Sequence, residues 1–254
     1  MMRAKPAPLA SNAEWEAWGK ADPFWAVATE PGRQRGASLA WTGEEFYASG
    51  ASDWCDFFSQ WRQYGVNAES CLEIGCGAGR FTRQAASVFE VVHAVDVSPH
   101  MIAQARQGVA AENVVYHLTG GLELPLADAS VHAIFSTHVL QHLDDAETVT
   151  AYFLEFFRVL RPGGSILIHV PLYEWPGVGR IAALLRGIHR LLLNISQAWA
   201  WMRRRTGRKL MRGTAVNTRS LYSALATMGF REVEFRTFST SRNGTLHSCV
   251  MAKK

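Results

Sequence analysis

Between Ser70 and Val170 short apolar runs alternate with amphipathic stretches, and nothing else in the sequence constrains the fold as strongly. A strand buried on both faces reads as a continuous apolar run, and a crossover helix reads as a half-apolar one. Their alternation is therefore the pattern of repeated βαβ units around a parallel sheet. The runs predict strands over 70–74, 91–96, 113–117, 131–137 and 165–170. Helices are predicted over 79–89, 99–109 and 146–160, the last ended by Arg161-Pro162-Gly163-Gly164. Farther on, 218–228 reads as a helix and 231–237 and 246–252 as strands. Asn243-Gly244 lies between the two strands and predicts an antiparallel hairpin. A chain of 254 residues is ordinary for one α/β core with embellishments.

The first of these strands runs into Gly75-Cys76-Gly77-Ala78-Gly79. Open α/β sheets bind ligands at the carboxyl ends of their strands, and glycines there let a ligand lie against the backbone. A dinucleotide site would need G-x-G-x-x-G, whose third glycine falls at position 80. That position is Arg80, which disfavours a nicotinamide-dependent dehydrogenase. An acid at Glu73 before the turn suits a ligand without pyrophosphate, whose amino-acid end carries an ammonium. Asp96 ends the next strand, about twenty residues on, where an acid can accept hydrogen bonds from both ribose hydroxyls. The two acids thus address opposite ends of one ligand.

These residues resemble the class I (Rossmann-like) S-adenosylmethionine-dependent methyltransferases, whose core reads as an acid-x-G-x-G-x-G turn followed by D-x-S-x-x-M. The second motif is here Asp96-Val97-Ser98-Pro99-His100-Met101. The likeness continues through Glu123-Leu124-Pro125-Leu126-Ala127-Asp128, Val139-Leu140-Gln141-His142-Leu143 and Arg158-Val159-Leu160-Arg161-Pro162-Gly163-Gly164. It implies an α/β, doubly wound sheet of seven strands in the order 3-2-1-4-5-7-6, strand 7 antiparallel, with helices on both faces and a helical insertion after strand 5.

The resemblance also implies S-adenosyl-L-methionine as cofactor. Glu73 would meet its ammonium, directly or through water. Gly75 and Gly77 would line the methionine and ribose, and Asp96 would hold the ribose diol. Val97 would pack on the adenine, with Gly121 and Leu122 at the adenine edge. Two positions depart from the pattern. Gly120 stands where an acid commonly meets the adenine amino group, and Val131-His132 stands where Phe-Asp is usual. Arg80 would reach the cofactor carboxylate, or else be a solvated residue of the first helical turn.

Methyl transfer from a sulfonium is an in-line displacement in which the protein supplies alignment and, for a protonated nucleophile, a base. The turn after the fourth strand offers Thr137, beside the cofactor, and His138, Gln141 and His142. His142 and His138 are the candidate bases, because an unperturbed imidazole titrates close to working pH. The alternatives are a helix-start residue for His142 and a partly buried neighbour of the cofactor for His138. His93, His117 and His169 read as sheet residues.

Residues 1–69 read as a Trp-rich helical lid, holding Trp15, Trp18, Trp25, Trp41, Trp54 and Trp61, ahead of a methyltransferase domain over 70–254. These aromatics either close over the ligand or cover the open side of the sheet. Within that domain, 172–215 is a basic insertion with nine Lys or Arg against Glu174, a balance of +8 inside a chain of net charge +4. Ile181, Leu184, Leu185, Ile188, Leu191, Leu192, Ile195 and Trp199 recur at helical spacing. We expect a cap that selects a small-molecule or lipid-like acceptor, with peripheral contact to an anionic membrane through 181–212, where Arg203-Arg204-Arg205 cluster. No nucleic acid is expected, since no reading motif accompanies the charge.

Cys55, Cys71, Cys76 and Cys249 form no CxxC pair and no array with zinc-ligand spacing, so neither disulfides nor a metal are expected. No segment offers the ~18 uncharged apolar residues of a membrane span. A reducing cytoplasm, up to the inner membrane surface, is the expected compartment. A SAM-binding or membrane-surface module without catalysis is the competing reading.

Overall fold

The computed structural model describes residues 9–174 and 213–254. The predicted cap helix and the arginine cluster of 181–212 lie outside the described residues.

Three helices precede the first strand: α1 (Ala10–Ala21), α2 (Pro23–Val27) and α3 (Gly43–Tyr64). Then follow β1 (Ser70–Ile74), α4 (Thr82–Ala85), β2 (Val91–Asp96), α5 (Pro99–Gly108), β3 (Val114–Leu118), β4 (Val131–Ser136), α6 (Ala146–Val159) and β5 (Leu160–His169). After the insertion come α7 (Thr218–Met228), β6 (Arg231–Ser239) and β7 (Leu246–Lys253). The sheet has seven strands in the order β3-β2-β1-β4-β5-β7-β6. β1 to β5 pair in parallel, β7 runs antiparallel to β5, and β6 runs antiparallel to β7, which is the predicted hairpin. Outside this sheet, Leu172–Tyr173 pairs in parallel with Val216–Asn217, so the chain on either side of the insertion meets at one point.

Two elements differ from the sequence expectation. The helix predicted over 79–89 contracts to Thr82–Ala85, because Gly79 takes φ +85° and the backbone after Ala85 closes in tighter turns, Ser87 N–H on Gln84 O and Val88 N–H on Ala85 O. Arg161-Pro162-Gly163-Gly164 does not follow α6 as a loop but is a bulge inside β5. Val131 pairs with Leu160, the register then shifts, and Ala133 pairs with Ser165. Gly163, at φ +79°, donates its N–H to Lys254 O, and Lys254 N–H returns to Gly164 O. The extra residues are held by Lys254, just past the end of β7, rather than by β4.

Each face of the sheet buries its own core. One combines Leu72, Ile74, Ile134, Ile166 and Ile168 with Phe153 and Phe156 of α6 and Leu221 and Leu225 of α7. The other sets Trp54, Phe57 and Trp61 of α3 against Phe135, Leu167 and Met251. Burying one such side chain contributes about 1.5–3 kcal/mol. Trp61 also donates from Nε1 to Ser165 Oγ at 3.0 Å, so its polar edge is satisfied inside the core. α3 starts at a capping box, Thr42 accepting from Glu45 N–H while the Glu45 carboxylate accepts from Thr42 N–H. Among the described residues no helix is long and apolar enough to cross a membrane.

Candidate functional site

The carboxyl ends of β1, β2 and β4 open into one cavity of about 370 Å³. That size falls in the range of small-molecule pockets. Its lining brings together Gly75, Gly77, Asp96, Val97 and Thr137 at the strand ends, Ser11, Trp15 and Val27 of the amino-terminal helices, and His138, His142, Arg242 and His247. α1 is fixed across the opening by Asp144, whose carboxylate oxygens accept the N–H groups of Ala10 and Ser11 at 2.9 and 3.1 Å. A carboxylate at this end also suits the helix dipole.

The glycine turn is shaped against protein as well as ligand. Gly75 and Gly77 have φ of +69° and +53°, and a Cβ on them would stand 2.3 Å from Val139 Cγ2 and 2.6 Å from Val27 Cγ2. Both conformation and space therefore demand glycine. Asp96, 8% exposed, anchors this turn, accepting Gly77 N–H on Oδ2 and Ser98 N–H on Oδ1, each at 2.9 Å. Burial pushes its carboxyl above the ordinary range, while the N–H bonds of Ser98, Gly77 and Val97 pull it back. Ser98 in turn caps α5, and Met101 packs beneath Trp15 and Trp18, which accounts for the Ser and Met of the second motif.

Glu73 is 3% exposed and accepts from Thr82 Oγ at 2.6 Å. Burial pushes its carboxyl up to about 8. It faces not the main cavity but an adjoining pocket of about 30 Å³, shared with Gly75, Arg80 and Thr137. That pocket has room for a water molecule.

Arg80 is not a solvated first-turn residue. It is 3% exposed, ion-paired with Asp53, and donates to Ser49 Oγ and Ser49 O at 3.2 and 3.3 Å. Asp53 also receives Arg242 at 3.0 Å, and Arg242 pairs with Glu30. This network ties α3 to the hairpin of β6 and β7, and Arg80 still reaches the cavity wall.

Gly121 and Leu122 stand outside the wall of the cavity. The Gly121 carbonyl accepts Tyr152 Oη at 3.2 Å, and Leu122 packs against the core. The Gly120 carbonyl is taken by Asn12 Nδ2 at 2.9 Å. At that end the wall is formed instead by Asn12, Thr119, Leu124 and Tyr152.

His142 closes a helical turn at Leu140–His142 and is 9% exposed. Its ring meets Trp15 edge-on, centroids 5.1 Å apart, and its Nε2 lies 2.9 Å from Gln141 Nε2. An amide nitrogen only donates, so this ring nitrogen accepts. His138 is set differently, at φ +58° and largely buried against His169 and His247. Burial first, then these two neighbours, pushes it well below the ordinary imidazole value. A base held below the ordinary imidazole value draws protons poorly, which counts against His138 in that role.

His169 and His247 complete the group. Ring centroids are 4.8 Å apart for His138–His169 and 5.1 Å for each ring to His247. His169 Nδ1 accepts His138 N–H at 3.3 Å, and burial holds His169 down to about 3. His247 Nδ1 is buried with no hydrogen-bond partner. Sequence reasoning reads His169 as an ordinary sheet residue and singles out neither His247 nor Asp53, Tyr152 or Arg242. Only Arg80, breaking the glycine spacing, hints at the network it joins.

Of the six amino-terminal tryptophans, Trp15 lines the cavity, while Trp54 and Trp61 belong to the core under β4 and β7. Trp25 and Trp41 spend their Nε1 donors on Glu30 O and Ala28 O, shaping the loop between α2 and α3.

Residues 72–168 match the family model described as "Methyltransferase domain". A malonyl-[acyl-carrier protein] O-methyltransferase of Serratia marcescens is 40% identical over 39% of this chain and 37% of its own length. A demethylmenaquinone methyltransferase of Tropheryma whipplei is 32% identical over 42% of this chain and 44% of its own. The chain thus spans less than half the length of these relatives. Magnesium protoporphyrin IX methyltransferase from Synechocystis PCC 6803, solved with bound SAH, superposes with a TM-score of 0.60 at 14% identity over 96% of this chain and 97% of that one, a likeness of fold. Residues 72–168 are a methyltransferase domain, and the chain carrying them has the class I S-adenosylmethionine-dependent methyltransferase fold.

Proposed function

We propose that the protein transfers a methyl group from S-adenosyl-L-methionine to a small-molecule or lipid-like acceptor. The observation that carries this reading is a single cavity lined both by Asp96 and the glycine turn and by His142, His247 and Arg242. A ligand held by its ribose on Asp96 would share this space with the acceptor. The residues fit the cofactor. Asp96 keeps acceptor capacity beyond its backbone bonds, and Glu73 is a buried carboxylate whose ionised form an ammonium would favour, bridged by water in the small pocket. The bound cofactor supplies an electrophilic methyl. The chain aligns the acceptor and, through His142, removes its proton where it carries one.

α1 and α2 act as a lid, with Trp15 and Val27 as its inner surface. The insertion over 172–215 selects the acceptor, and its arginines contact an anionic surface.

Calorimetry with S-adenosylmethionine and NAD tests the cofactor, and turnover tests catalysis. Asp96→Ala should weaken S-adenosylmethionine at least tenfold, because charged acceptors of hydrogen bonds contribute about 1.5–3 kcal/mol each. Unchanged affinity in a folded variant, or a preference for NAD, removes this reading.

A further inference from the structure

His138 in the turn after β4, His169 at the end of β5 and His247 near the start of β7 each offer a ring nitrogen, and the three nitrogens lie within 4.8 Å of one another. His138 and His247 line the cavity, with His169 buried behind them. We propose that these three imidazoles bind a divalent first-row metal ion, Zn²⁺ foremost, with its open coordination position facing the cavity and taking the oxygen, nitrogen or sulfur of the acceptor.

Several independent features point to this ligand. A tetrahedral zinc at about 2.0–2.1 Å from nitrogen holds its ligands roughly 3.3–3.5 Å apart, so the ring nitrogens need close by up to about 1.5 Å. His247 Nδ1 is buried without a partner, which is uncommon for a polar atom unless something absent from the chain satisfies it. His169 Nδ1 accepts only the long 3.3 Å bond from His138 N–H, so the lone pair this ring offers an ion is the one on Nδ1, released when that weak bond gives way. His138 occupies the left-handed region at φ +58°, a conformation kept where the surroundings fix a functional side chain. The guanidiniums that face these rings, Arg80 and Arg242, are paired with Asp53 and Glu30 and do not leave an unbalanced cation beside the site.

Three neutral nitrogen ligands and no thiolate suit Zn²⁺, Co²⁺, Ni²⁺ or Fe²⁺ rather than Mg²⁺ or Ca²⁺. Three protein ligands with a fourth position open is the arrangement of catalytic rather than structural zinc. The bound ion would hold the acceptor's heteroatom at the methyl-receiving end and make its proton easier to lose. That proton passes to water or to His142, the heteroatom keeps the electron pair, and the metal does not change oxidation state. This role in catalysis rests on the methyl-transfer reading, whereas the metal site itself does not.

The test uses the full chain, stripped with a chelator and titrated with Zn²⁺ or Co²⁺ in the absence of cofactor. One equivalent should bind, and Co²⁺ should give the intense visible bands of a tetrahedral nitrogen site. His247→Gln and His169→Gln should each weaken binding at least tenfold. His93→Gln, which removes the separate His93–His117 pair, should bind as the wild type does. Absence of stoichiometric binding by the wild type overturns the proposal whatever the variants do, and so does binding that survives in His247→Gln or is lost in His93→Gln. Cofactor affinity, measured separately, distinguishes failure of this site from failure of the methyl-transfer reading.

Discussion

Replacing Glu73 by Gln tests the electrostatics of the cofactor end. Glu73 is buried at the end of β1 with Thr82 Oγ as its hydrogen-bond donor, and burial, opposed by that bond, pushes its carboxyl from 4.5 up to about 8. The folded value is the higher one, so the native state holds an extra proton between pH 4.5 and about 8. The corresponding stability is fully present below 4.5 and is lost as pH rises through about 8, at up to about 1.36 kcal/mol per pH unit. The whole interval corresponds to on the order of 5 kcal/mol. Gln keeps an oxygen for Thr82 and has no charge to desolvate. Glu73→Gln should therefore match the wild type near pH 4.5 and exceed it by about 2–5 kcal/mol near pH 8.5. Urea unfolding of the ligand-free protein across this range measures the difference, and parallel stability curves for the two proteins would refute the reasoning.

An ammonium beside Glu73 reverses the preference, because an opposite charge favours the ionised carboxylate. At pH ~6.5, where an α-amino group of pKa about 7.7–8.0 remains charged, binding of S-adenosylhomocysteine should release close to one proton from the wild type. Glu73→Gln should release none. Calorimetry in two buffers of different ionisation enthalpy reads this directly, and equal release from both proteins would place the ammonium elsewhere.

Asp53→Asn removes the counter-charge of buried Arg80 and part of the support of Arg242, and should cost about 3–5 kcal/mol in chemical denaturation, against under about 1 kcal/mol for an exposed pair. Gly77→Ala, with φ +53° and a Cβ 2.6 Å from Val27, should displace α2 and lower cofactor affinity severalfold; unchanged calorimetric affinity would dissociate the lid from the turn. His142→Gln should lower turnover by about two orders of magnitude while leaving cofactor affinity intact, and a flat comparison of rates from pH 6 to 8 would reduce catalysis to alignment.

The alternation of apolar runs, the glycine turn and the two acids are local or nearly local signals, which is why the sequence by itself determined the parallel sheet and the strand ends bearing Glu73 and Asp96. The closing hairpin was legible for the same reason, its Asn-Gly pair and flanking strands being contiguous. The bulge at Pro162-Gly163-Gly164 was not, because a Pro-Gly-Gly run ends a helix in any local reading and becomes part of β5 only when Lys254, just past the adjoining strand, supplies its hydrogen bonds. Arg80 is ambiguous in one dimension, since the carboxylate that buries it belongs to α3, far back in the chain. Gly121 and Leu122 follow the family pattern in sequence, yet Asn12, Thr119 and Tyr152 occupy the wall there because α1 folds back across the cavity. The three histidines give the clearest contrast. Metal-ligand patterns are recognised by short spacing, and His138, His169 and His247 have none. Each lies at the cavity end of a different strand, and only the parallel run of β4 beside β5 with β7 returning antiparallel brings three otherwise ordinary imidazoles together.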